Sequence, residues 1–114
     1  QDNDEHAYET TLAILKKHRE INCIYITGAG VAGVCRAICE MGYENRIIVL
    51  AFDDIETTRA LVRQGVIQVT ICQEPLEQGY LAVQMMFEYF MGDKKTIPEN
   101  HFTDTVIKIK ENID

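Results

Sequence analysis

Apolar positions along this chain follow two spacings that alternate. Residues 5–18 (EHAYETTLAILKKH) set Ala7 or Tyr8, Thr11 or Leu12, and Leu15 on one stripe at helical spacing, with charges on the remaining faces. Asp4 stands where an N-cap belongs. The run Ile21–Thr27 (INCIYIT) is short, β-branched and continuously apolar, which predicts a buried strand. Gly28, Gly30 and Gly33 then open a helix to about Met41, with Val31, Val34, Ala37, Ile38 and Met41 at helical spacing and Gly42 as its stop. Arg46–Phe52 (RIIVLAF) predicts a second strand, residues 55–64 a short helix ended by Gly65, and Val66–Cys72 (VIQVTIC) a third strand. A longer helix follows Pro75, a residue suited to a first helical turn, and runs to about Met91. The tail Phe102–Lys110 alternates like an edge strand.

The order is therefore α-β-α-β-α-β-α-β. Apolar strands alternating with helices predict an α/β fold: a three-layer α-β-α sandwich around a mainly parallel, doubly wound sheet covered on both faces. Such sheets bind ligands outside the carboxyl ends of their strands. That rule singles out Thr27–Gly28, Asp53–Asp54 and Gln73–Glu74. No internal repeat or low-complexity linker interrupts the pattern. The stretch Gly92–Glu99 is the one polar connector of any length.

Composition narrows the function classes. At 114 residues the chain fits one domain, and 46% apolar with 25% charged residues is the balance of a globular core. Net charge is −7, from 18 acidic against 11 basic residues, so this segment repels phosphate backbones. The basic cluster Lys16, Lys17 and Arg19 lies near a helix end, where it favours the dipole. Gln1 rather than Met begins the chain, no secretion signal follows, and no apolar run reaches membrane-spanning length. The chain reads as a piece of something longer, with no membrane contact.

The four cysteines, Cys23, Cys35, Cys39 and Cys72, form no C-x-x-C pair and lie in apolar stretches. They read as small buried hydrophobes of a reducing compartment, which places the protein in the cytoplasm. Cys35 and Cys39 share a helix face, but no neighbouring His or Cys completes a metal site. His6, His18 and His101 are isolated and read as surface residues. Tyr80, Met85, Met86, Phe87, Tyr89 and Phe90 make an apolar helix suited to a core or an interface.

Gly28-Ala29-Gly30-Val31-Ala32-Gly33 satisfies G-x-G-x-x-G between a strand and a helix, and Asp53 ends the next strand. That is the fingerprint of a dinucleotide-binding oxidoreductase, in which the helix N-terminus attracts pyrophosphate and the acid takes ribose hydroxyls. Two features oppose it. A whole helix precedes the glycine strand, and no acid–base pair or nucleophile follows Asp53.

Three further segments, in order, carry a different likeness. LKKHREINCIYIT pairs a long helix with a strand. VCRAICEMGYENRIIVLAFDD holds a small-residue helix, an E-x-G turn and a strand ending like G-F-D. RALVRQGVIQVTICQEPLEQGYLAV contains L-x-x-G, T-hydrophobic-x-Q-x-P and G-x-x-A-V. Together they resemble the periplasmic-binding-protein-like sensor domains of the lactose-repressor family of transcription regulators and their sugar-transport relatives. The resemblance implies the C-terminal lobe of a two-lobed ligand-sensing domain spanning 1–114. The helix 75–91 would pack on the other lobe, and the tail would return.

It also implies a non-enzymatic protein without a cofactor or metal. Its partner would be a small-molecule effector, a sugar or similar polar molecule. A cytoplasmic homodimer would reach DNA only through a segment preceding Gln1. The alternatives are a periplasmic sugar-binding protein of a transport system, the dinucleotide reading, and an interaction domain with a vestigial cleft. Three ligand contacts follow from the resemblance: the Asp53 carboxylate, the Gln73 amide after the third strand, and Thr27. Relatives often carry Asn at the position of Thr27 and Asp at that of Gly28, so the site departs from the familiar sugar pattern. The plainer alternative has Asp53 or Asp54 capping the helix 55–64 and Gln73 as an ordinary loop residue.

Overall fold

Strand and helix alternate as the periodicity requires. The computed structural model describes residues 3–92, 98 and 100–113, so most of the polar connector, 93–97 and 99, lies outside the described residues. In chain order the elements are α1 (Asp4–Lys17), β1 (Cys23–Tyr25), α2 (Val31–Glu40), β2 (Ile48–Phe52), α3 (Glu56–Gln64), β3 (Val69–Cys72), α4 (Pro75–Phe90) and β4 (Val106–Lys108). The sheet order is β1-β2-β3-β4. β1 pairs with β2 and β2 with β3, all parallel, in the register Ile24↔Val49, Leu50↔Val69 and Ala51↔Thr70. Parallel strands alternating with helices give the α/β fold of the three-layer α-β-α sandwich.

Two compact units divide the chain: 1–72 with 107–114, and 73–106. In the first unit, successive right-handed crossovers in one direction put α2 and α3 on the same face of the sheet. Leu15 of α1, Cys35 and Ile38 of α2 and Val62 of α3 meet Val49 and Ala51 there in one core. Period-2 geometry sends the alternate residues to the opposite face. Leu50, Phe52, Val69 and Ile71 are half-buried on it, while Tyr25 and Ile48 stay 51% and 53% exposed.

The strands are shorter than the apolar runs. β3 begins at Val69, not Val66: at Gln68 the main-chain N–H still donates to the Val49 carbonyl at 3.0 Å, but the returning bond goes to the Gln68 side chain. Its Oε1 accepts the Val49 N–H at 2.7 Å and its Nε2 donates to the Gly65 carbonyl at 2.9 Å. Before β1, the Arg46 guanidinium donates to the carbonyls of Arg19 and Ile21, and the Ile48 N–H donates to the Asn22 carbonyl at 2.9 Å. The tail strand contracts to three residues.

Three sequence expectations change. Asn3, not Asp4, caps α1, its Oδ1 accepting the His6 N–H at 2.7 Å. Neither Asp53 nor Asp54 caps α3, whose N-cap is Ile55 without a side-chain bond. Cys35 and Cys72 are buried, but Cys23 and Cys39 are exposed: Cys23 alternates onto the open face of the sheet, and Cys39 lies in the last turn of α2. Burial pushes the Cys35 thiol up to about 12, assisted by Cys39 nearby, so it is inert as a thiolate.

The second unit contains α4, with Pro75 in its first turn and a left-handed Glu74 before it. No described residue of α4 is buried in this chain, and Leu76, Tyr80, Val83, Phe87 and Phe90 are open.

Close contact between α1 and α2 explains two of the three fingerprint glycines. A Cβ on Gly33 would lie 1.9 Å from the Asp4 carbonyl oxygen and 2.9 Å from the Tyr8 nitrogen. Gly30 is left-handed at φ +91°, and a Cβ there would lie 2.7 Å from the Ala7 Cβ. Gly28 has no atom within 4 Å of its hypothetical Cβ.

The tail returns to the first unit at Ile107 and is fastened by Asp54, whose side chain is 6% exposed. Asp54 Oδ1 pairs with Arg59 Nε at 2.6 Å and Oδ2 with Lys108 Nζ at 2.9 Å. Burial alone would raise this carboxyl, but hydrogen bonds from Arg59 and Lys108 outweigh it and hold the carboxyl below the ordinary range.

Two stability predictions follow from these contacts. Gly33→Ala lowers stability by about 1–3 kcal/mol because backbone must move, whereas Gly28→Ala is near neutral; urea unfolding of both variants checks this. Asp54→Asn destabilises by about 2–3 kcal/mol at pH 7, below the range for a fully buried pair because Arg59 is partly solvated. Since the folded carboxyl titrates below the unfolded one, its contribution is complete above the ordinary carboxylate pKa and disappears as pH falls through the lower folded value. Unfolding between pH 7 and pH 2 therefore shows a shallower acid loss in Asp54→Asn than in wild type.

Candidate functional site at the strand ends

Parallel pairing brings the carboxyl ends of β1 and β2 to one edge. β1 runs into Thr27 and Gly28, and β2 into Asp53. Asp53 takes the left-handed conformation, φ +70°, which Asp tolerates better than most residues with a Cβ. Both its backbone groups are used by β3. Its N–H donates to the Ile71 carbonyl at 2.8 Å, and its carbonyl accepts the Thr70 hydroxyl at 2.7 Å. The side chain is left exposed.

A cavity of about 290 Å³ opens beside it, walled by Asp53, Phe52, Ile55, Thr57, the Gly28–Ala32 turn and Asp4. That size lies at the lower end of small-ligand clefts, roughly 300–1,000 Å³. Its polar lining offers two carboxylates, one exposed threonine hydroxyl and the bare backbone of the glycine turn, beside the apolar surface of Phe52 and Ile55. Among the described residues, no basic one lines it. Carboxylates that accept and backbone amides that donate suit a neutral molecule bearing several hydroxyls. Thr58, also in the wall, is fully buried, and its Oγ1 makes no hydrogen bond among the described residues.

The glycine fingerprint does not serve a pyrophosphate here. The Gly33 N–H at the start of α2 donates to Asp4 Oδ1 at 3.3 Å, which sets a carboxylate where a phosphate would have to approach.

The expected ligand residues are placed differently from one another. Asp53 is in the wall of the cavity. Thr27 is exposed after β1, outside that wall, and its neighbour Gly28 lines it instead. Gln73 belongs to the second unit, where it lines a separate cavity of about 450 Å³ with Gln78, Met85, Phe102 and Thr103. There Gln78 Nε2 donates to the Gln73 carbonyl at 2.7 Å and to Thr103 Oγ1 at 2.9 Å. Sequence reasoning missed Asp4, Thr57 and Thr58. Asp4 was assigned to capping, and the paired threonines just after a strand end were the available signal for the others. Among the described residues no group of three His, Cys, Asp or Glu side chains could hold a metal ion, and no helix is long and apolar enough to cross a membrane.

Comparison with known proteins places this geometry. The chain is 25% identical over 106 residues to the D-allose-binding periplasmic protein of Escherichia coli (strain K12), covering 89% of this chain and 34% of that protein. It superposes with a TM-score of 0.88 on GanP, a glucose-galactose binding protein from Geobacillus stearothermophilus, at 33% identity, covering 97% of this chain and 39% of that one. A periplasmic solute binding protein of an ABC transporter from Actinobacillus succinogenes 130z, solved with bound D-allose, gives a TM-score of 0.87 at 28% identity, covering 96% and 38%. The chain thus spans about two fifths or less of the length of these relatives. Residues 1–94 match the family model described as the periplasmic binding protein domain, and the chain belongs to that family.

Proposed function

We propose that this chain is a non-enzymatic lobe of a sugar-binding protein serving an ABC-type transporter, with the strand-end cavity as its part of the sugar site. The observation that carries the reading is Asp53: its backbone is tied to β3 while its carboxylate is exposed in the wall of the cavity. The relatives' names support the transport role over the repressor role that the sequence motifs suggested. The ligand is an uncharged polyol. Two carboxylates, with no basic side chain among the described residues, disfavour sugar acids and sugar phosphates. Thr27 and Gln73 are proposed as further contacts on the family resemblance. The open apolar side of α4 supports its packing against a second lobe.

One observation favours a second reading, a cytoplasmic lactose-repressor-type regulator acting as a homodimer. All four cysteines are free and two are exposed, a pattern of reducing compartments. The coding sequence upstream of Gln1 separates the readings. A secretion signal supports the transporter, and a DNA-reading helix pair supports the regulator.

Titrating the ¹⁵N-labelled chain with D-allose, D-glucose and D-galactose should shift the amides of Gly28–Ala32 and Asp53 for at least one sugar, with no response to glucose 6-phosphate. Asp53→Ala weakens that binding by about 1.5–3 kcal/mol, the worth of hydrogen bonds to a charged acceptor, with the fold retained. Unchanged affinity in this variant would remove Asp53 from the site.

A further inference from the structure

We propose that Thr70 is a positioning residue, which holds Asp53 in the conformation that presents its carboxylate to the ligand; this rests on the reading of Asp53 as a ligand contact. Asp53 and Asp54 are adjacent and chemically identical, yet their side chains have opposite surroundings. Asp53 is exposed in the cavity wall, and Asp54 is 6% exposed between Arg59 and Lys108. The backbone between them is what separates them. A residue with a Cβ at φ +70° is unfavourable in isolation and persists where surrounding contacts over-determine it.

Three contacts do so here. The Ile71 carbonyl accepts the Asp53 N–H, the ion pairs of Asp54 anchor the next residue, and the Thr70 hydroxyl donates to the Asp53 carbonyl. Two of the three survive any substitution at position 70. The hydroxyl bond does not, and it sets the orientation of the peptide plane that follows Asp53. Thr70 is 0% exposed and paired in register with Ala51 on the core face, so it cannot touch a ligand and acts only through Asp53. Valine has the same shape without the donor. It would leave the Asp53 carbonyl unpaired and remove its restraint on rotation about the Asp53 N–Cα and Cα–C bonds, so that the residue relaxes toward ordinary negative φ.

The test uses the full chain, isotope-labelled, as wild type, Thr70→Val and Thr70→Ser. A strong nuclear Overhauser contact between the amide and α protons of Asp53 itself marks positive φ and needs no ligand. Wild type and Thr70→Ser should show it, and folded Thr70→Val should lose it. The dissociation constant for whichever of D-allose, D-glucose or D-galactose binds should rise about fivefold or more in Thr70→Val, the scale of a displaced hydrogen bond, and recover in Thr70→Ser. A purely structural threonine would lower the unfolding midpoint while leaving the Asp53 signature and sugar affinity in place, and that outcome overturns the proposal. So does loss of the signature in Thr70→Ser. Should Thr70→Val not fold, Thr70→Ala is read in the same way. Asp53→Ala separates the two levels. If it binds sugar like wild type, the ligand reading fails, while the Asp53 signature in Thr70→Val still decides whether Thr70 sets the backbone.

Discussion

Backbone meets backbone where α1 crosses α2, and much of the first unit depends on that approach. With hydrogen in place of a side chain at Gly33, the first turn of α1 settles on α2 closely enough for the Asp4 carboxylate to accept the Gly33 N–H. The same closeness brings the Arg36 guanidinium to Glu5 at 3.0 Å and stacks it 3.6 Å from the centroid of the Tyr8 ring. It also fixes where α2 begins. The chain arriving from β1 has to turn at a left-handed Gly30, so the loop facing the cavity is nearly bare backbone. A helix N-terminus that could have attracted an anion is supplied with one from inside the molecule.

Helix ends were legible because their stop signals are local. Gly42, Gly65 and Gly92 all adopt positive φ just beyond the helices they follow. Strand lengths were not. A β-branched run specifies extended backbone, but ladder membership depends on what the neighbouring chain offers, and at Gln68 the side chain accepts the Val49 N–H while the main-chain N–H donates to the Val49 carbonyl. Burial was half legible. Period-2 alternation puts Cys23 and Tyr25 on one face and Ile24 on the other, yet the sequence does not say which face receives α1, α2 and α3.

At the candidate site, Asp53 was legible from its place after a parallel strand. The contrary fate of Asp54 was not, because it is decided by Arg59 one helical turn further on and by Lys108 far along the chain. Asp4 was misassigned for a related reason. Asn3 beside it caps the helix equally well, which frees Asp4 for a partner on another helix. The glycine pattern shows how one spacing satisfies two physical needs. Room for a pyrophosphate and room for a crossing helix both call for residues without a Cβ.

The return of the tail bears on how the protein is made. The first unit is assembled from residues at both ends of the chain: Ile113 packs against its core and Lys108 holds Asp54, while everything from Gln73 to Val106 is spelled out in between. A growing polypeptide emerging amino end first has β1, β2 and β3 available early, but Asp54 then has only Arg59 for company and the core lacks Ile113. The sheet must wait, incomplete, until Lys108 and Ile113 have been synthesised. Translation order and folding order are thereby decoupled: the unit that holds β1, β2 and β3 is completed only after residues 73–106 have been made.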